Sequence, residues 1–194
     1  MIVSKTNNKR MKRISIVGII LMIISSFVTI NSDPLFYYLL HIGAGIIYIY
    51  LLSYLISILQ FSNENISVQN PFSIFLGLEV VRFIGEVFFV RSAAGLLSGM
   101  GILELIMLVY IAISTFKIKS ESLAWPFRLL GILLVLTSVT KFFILFSFSS
   151  RQTNIFSMYI SLVNSVPLMA MFYIVFQTGN IIKNTELGEV NSGD

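Results

Sequence analysis

Glu79, Arg82 and Glu86 stand together in one apolar run, residues 71–90. An ionised side chain at the centre of a bilayer costs roughly 2.5–3.5 kcal/mol on insertion scales, so such a group persists where it is paired or used. On a helix, residues three, four and seven apart share a face. Glu79 and Glu86 therefore line up, with Arg82 beside them. Two carboxylates and a guanidinium in that arrangement can bind an ion or hold a polar solute. A carboxylate in a site of low dielectric can also exchange a proton near neutral pH. The same three groups can instead be ion pairs that fix the register of neighbouring helices. Both readings stay open on the residues alone.

Other polar residues fall at matching depths, counted at about 1.5 Å per residue along alternating spans. Glu104 falls at the level of Arg82, and Lys141 at the level of Glu86. The single histidine, His41, shares the second level. Asn164 falls near the middle of the last apolar run, three residues before Pro167. A proline inside a span removes one helix hydrogen bond, so a kink there would free a carbonyl near residue 163. The expected pathway residues are thus Glu79, Arg82, Glu86, Glu104, Lys141, His41 and Asn164, with Pro167 as the kink.

Several chemistries are excluded. The chain has no cysteine and one histidine, which removes disulfides, thiolate metal sites, cysteine nucleophiles and bis-histidine haem. There is no HExxH, GxSxG or Walker lysine, and no pair of aspartates. No metal, no cofactor and no catalytic residue is expected, and an enzyme has no positive support. The net charge of +4 is no argument for nucleic acid, because the basic residues gather near the start and in one internal loop.

These side chains need elements to position them. The chain is 56% hydrophobic and 11% charged, with mean hydropathy +0.90. Soluble domains carry about 25% charged residues, so lipid must solvate much of this surface. Six apolar runs, residues 14–30, 35–59, 71–90, 93–116, 124–147 and 155–178, have the length of membrane-crossing helices. They are solidly apolar, unlike the short alternating segments of a membrane barrel. The expected fold is all-α, a bundle of six transmembrane helices.

Three divisions follow: a basic tail over 1–13, the six-helix domain over 14–180, and a polar tail over 181–194. Asn31, Ser32, Asp33 and Pro34 read as a tight turn. Arg91 and Ser92 leave so little loop that the third and fourth spans should form a hairpin. Residues 60–70 and 117–122 read as polar loops.

Lys5, Lys9, Arg10, Lys12 and Arg13 precede the first span. Lys117, Lys119 and Arg128 flank the fourth connection, and Lys183 follows the last span. The opposite ends carry only Arg91 and Arg151. This asymmetry predicts both termini in the cytoplasm of a prokaryotic plasma membrane. A cleaved signal peptide over residues 14–30 is the rival reading, but no cleavage site follows cleanly.

Gly18 to Leu21 resembles Gly131 to Leu134, and Pro71-Phe72 before Gly77 resembles Pro126-Phe127 before Gly131. In an Ile/Leu/Gly-rich alphabet this reads more readily as coincidence than as repetition. Gly43-Ala44-Gly45, Gly95 with Gly99 and Gly101, and Ser53 with Ser57 are small-residue patches that let helices approach closely. Tyr37, Tyr38 and Trp125 suit an interfacial belt, while Tyr48 and Tyr50 read as packing. The expected partners are the lipid bilayer, a small solute or ion, and a second copy or a partner membrane subunit. The expected function is transport or permeation along the polar seam, with proton coupling. The alternative is a non-catalytic membrane subunit or scaffold.

Overall fold

The computed structural model describes residues 3–28, 34–88, 94–147, 163 and 165–182, with the side chains of a few of these left aside. Six helices lie among the described residues. They are α1 (Lys5–Phe27), α2 (Pro34–Phe61), α3 (Ile66–Phe88), α4 (Ala94–Thr115), α5 (Glu121–Ser147) and α6 (Ser165–Ile182). Among the described residues, three stretches are long and apolar enough to cross a membrane: Tyr38–Phe61 in α2, Glu121–Lys141 in α5, and α6. That supports a membrane protein. Glu79, Arg82 and Glu86 dilute α3, and α1 is described only through Phe27, which cuts short its apolar run after Arg13.

Along the chain α1 packs on α2, α2 on α3, α3 on α4 and α4 on α5, and α6 comes back to α1. Gly179 lies so close to α1 that a Cβ there would fall 2.5 Å from the Asn8 amide nitrogen, and the Lys12 ammonium sits 4.4 Å over the Phe176 ring. The start of α1, the α2–α3 and α4–α5 turns and the end of α6 therefore gather at one end, which also carries Lys5 to Arg13, Lys117, Lys119 and Arg128. We call it the basic end.

The basic segment differs from the expected tail. Ser4 caps α1 by accepting a hydrogen bond from the Asn7 amide at 3.3 Å, so the helix begins at Lys5. Met11 is wholly buried, and Asn8 accepts a hydrogen bond from the Tyr54 hydroxyl at 3.2 Å. The expected boundary after residue 13 thus falls inside a packed helix. The polar loop expected over 60–70 is also shorter, because α3 starts five residues before Pro71. Proline at that sixth position costs only the bond to the Ser67 carbonyl, on an exposed residue at the helix end. Pro126 repeats the case in α5, where the carbonyl belongs to the exposed Ser122.

The α2–α3 turn closes as a Schellman motif. The Glu64 amide donates to the Leu59 carbonyl and the Asn63 amide to the Gln60 carbonyl, with Asn63 left-handed at φ 52°. Asn65 then caps α3 by accepting from the Ser67 amide at 3.1 Å. The turn is fastened to its counterpart by buried Glu64. Its carboxylate accepts from the Lys119 amide at 3.0 Å and the Ser120 amide at 2.8 Å, just ahead of α5.

The two turns share a register. Phe61 and Phe116, Pro71 and Pro126, Phe72 and Phe127, and the helix starts Ile66 and Glu121 are each 55 residues apart. Phe72 and Phe127 are both buried and meet edge to face at 5.7 Å. Two helical hairpins, α2–α3 and α4–α5, thus repeat in the same direction along the chain. The Pro-Phe resemblance is repetition, contrary to the sequence expectation. The glycine resemblances do not keep this register.

The core is concentrated toward the basic end. Leu51, Leu52, Tyr54, Leu55, Ile58, Val68, Phe72, Phe75, Ile111, Leu123, Phe127 and Leu130 are essentially inaccessible. Buried hydroxyls of Ser15, Ser57, Ser114, Thr115 and Thr178 donate to carbonyls of their own helices, so none demands water. Outside this core, many large apolar side chains point outward, among them Ile46, Ile74, Val81, Ile106, Ile132 and Leu136.

Candidate functional site

The α3 charges are built into the wall of a cavity. At about 1.5 Å per residue, Glu79 lies roughly 20 Å from the first residue of α3, above the packed end. Arg82 is three residues on, so its guanidinium folds back beside Glu79, with Nη2 2.9 Å from Glu79 Oε2. Its other terminal nitrogen, Nη1, donates to Glu104 Oε2 on α4 at 2.7 Å. Depth matching thus pairs Arg82 with Glu104 across the α3–α4 interface. The Glu79 side chain is 5% exposed, against 19% for Glu104 and 30% for Arg82. The group has one buried anchor and two members open to the cavity. With all three ionised, it carries one net negative charge.

The cavity has a volume of about 80 Å³, space for on the order of five water-sized spheres. Besides the three charged residues it is lined by His41, Gly45, Tyr48 and Ile49 of α2, and by Leu134, Thr137, Ser138 and Lys141 of α5. Met22, Phe75, Phe83, Leu108 and Pro167 complete it. His41 is exposed and Lys141 half-buried. Two carboxylates, a guanidinium, an ammonium, a phenol and two aliphatic hydroxyls surround one space. Such a wall can hydrate or coordinate a small polar species.

Of the expected site residues, Glu79, Arg82, Glu104, Lys141 and His41 line one space, and Pro167 borders it. The Glu86 side chain and Asn164 lie outside the described residues, and with them the expected pairing of Glu86 with Lys141. Pro167 lies in helix, with Val163 and Ser165–Ile182 helical around it. The bend expected before it spans Asn164, outside the described residues.

Sequence reading missed Tyr48, Thr137 and Ser138. The signal was present: His41, Gly45 and Tyr48 recur at helix spacing, as do Leu134, Ser138 and Lys141. Glu64 was also missed, because an acid in a polar loop reads as solvated.

The repeat organises this wall. Ile49 and Glu104, Glu79 and Leu134, Arg82 and Thr137, and Phe83 and Ser138 are each 55 residues apart, and both members of every pair line the cavity. The cavity therefore lies between the two hairpins, and the ion pairs decorate a repeated scaffold unequally. Among the described residues no cluster of His, Asp and Glu could hold a metal ion. No family model, curated protein or solved structure matches the chain.

Proposed function

We propose that this chain is a six-span integral membrane protein that passes a small polar solute or ion through the cavity between its two hairpins, with proton exchange at the cavity carboxylates. One observation carries the reading: a charged and partly accessible cavity lies where two equal-direction repeats meet, with four pairs of its lining residues 55 apart. Secondary transporters with repeats of this kind hold their substrates near the middle of the bilayer, at the repeat interface. The basic end favours both termini on the cytoplasmic side of a prokaryotic plasma membrane.

The missing cysteines supply the test. Single cysteines at Thr137, Ser138 and Gly45, in the full chain reconstituted in vesicles, should react with a membrane-impermeant thiol reagent. Glu104→Gln should slow decay of an imposed pH gradient, read with an entrapped dye, without loss of folded protein. If those three positions stay unlabelled while a cysteine at exposed Ser122 reacts, the pathway is refuted.

A second reading has its own support. The 2.7 and 2.9 Å contacts of Arg82 are the geometry expected of ion pairs that set helix register in a scaffold or partner subunit. In that case Glu104→Gln alone destabilises the fold, and gradient decay is unchanged.

A further inference from the structure

The outward face of α1 changes character along its length. At about 100° per residue, Lys5, Lys9, Arg10 and Arg13 fall in one sector of roughly 140°. All four are exposed. Continue along that sector and it becomes apolar: Ile16, Val17, Ile20 and Ile24 are 46%, 49%, 49% and 40% exposed. The opposite face holds buried Asn8, Met11 and Ser15. A single outward stripe is therefore cationic at the basic end and aliphatic beyond it.

The same sector of α5 behaves similarly, with Trp125 and Arg128 followed by exposed Ile132 and Leu136. Arg13 and Arg128 lie eight and seven residues into their helices. The outward face of α3 is an internal control. Its base carries exposed Asn70 and Ser73 in place of cations, followed by exposed Ile74, Val81 and Ile84.

We propose that the outward face of α1 binds an anionic phospholipid, its acyl chains along Ile16, Val17, Ile20 and Ile24 and its phosphate among Lys9, Arg10 and Arg13. A free anion would use only the lower half of the stripe, and a neutral lipid only the upper half. Cationic side chains near a membrane surface attract anionic lipid individually, and their contributions accumulate. The proposal rests on α1 lying in the bilayer, which belongs to the six-span reading, but needs nothing to pass through the cavity.

Native mass spectrometry of the full chain in detergent tests it, with phosphatidylglycerol and phosphatidylcholine of identical acyl chains as probes. Wild type should retain phosphatidylglycerol preferentially. The triple variant Lys9→Gln, Arg10→Gln, Arg13→Gln should lose about a hundredfold in that affinity. Asn70→Lys with Ser73→Lys, which leaves α1 intact, should add a second bound phosphatidylglycerol on α3.

Equal retention of the two lipids, or an unchanged triple variant, overturns the proposal. So does displacement by millimolar inorganic phosphate, which marks a free-anion site. A disulfide-linked dimer through Ile20→Cys also overturns it, because a second copy would then cover the stripe. Cysteine labelling at Ser138 is unaffected by any of these, so failure here is separable from failure of the pathway.

Discussion

Arg82 is the residue on which the site turns. It neutralises Glu79, which is almost wholly buried, and reaches Glu104 on the next helix. Removing one partner of a buried ion pair leaves a charge without compensation, at a cost of about 3–5 kcal/mol. Arg82→Met should lower thermal stability in detergent by that order, and adding Glu79→Gln should return part of the loss. If the double variant is no more stable than the single one, Arg82 is not holding Glu79. Glu64 is the other critical acid. Its two charge-assisted hydrogen bonds tie the α2–α3 turn to α5, so Glu64→Ala should cost about 2–3 kcal/mol in thermal unfolding. The Arg82–Glu104 pair was legible in the sequence because charges in an apolar run have few candidate partners and depth selects among them. Tyr48 was not, since a tyrosine in a span reads equally well as packing. Glu64 was not, since its partners are backbone amides 55 and 56 residues away.

At the scale of elements, close approach decides which helix contacts are specific. A Cβ on Gly131 would lie 2.9 Å from the Ala112 backbone of α4 and 3.2 Å from the Thr115 hydroxyl. Gly131→Ala should therefore destabilise by about 1–3 kcal/mol, since backbone cannot move aside cheaply. Gly77 on the outward face of α3 has nothing within 4 Å of that position. Gly77→Ala should be neutral, or stabilising by up to about 1 kcal/mol through helix propensity. Melting the two variants side by side checks the interface; a stable Gly131→Ala would contradict it. The apolar runs made the helices legible, but their basic-end starts were misread. Prolines 71 and 126 and the basic residues to Arg13 look like stops, and each is accommodated inside a helix. What fixes the starts is local and small: the Ser4 hydroxyl, the Asn65 amide and the carboxylate of Glu64.

Taken whole, the molecule is a repeated scaffold with a unique charge pattern. Composition alone revealed the all-helical, lipid-compatible class. The repeat was obscured because its conserved register lies in Phe-Pro-Phe landmarks, while glycines and aliphatic residues resemble one another at any offset. The proposed pathway depends on the asymmetry: Arg82 stands where the other hairpin has Thr137, and Glu104 where it has Ile49. Making the halves alike should therefore abolish gradient decay before it abolishes folding. Arg82→Thr with Glu104→Ile and Glu79→Leu, the last matching Leu134, removes all three charges together and strands none of them. A variant that melts near wild type and no longer dissipates the gradient is the expected outcome; one that still dissipates it would remove the ion pairs from the pathway.

The last turns of α6 rest on the first turns of α1, where Gly179 meets Asn8 and Lys12. The first and last described helices are thus neighbours in space although they lie far apart along the chain. A short peptide tether from Ile182 to Lys5, with the backbone opened at another turn, would give a circularly permuted polypeptide in which every helix keeps its neighbours.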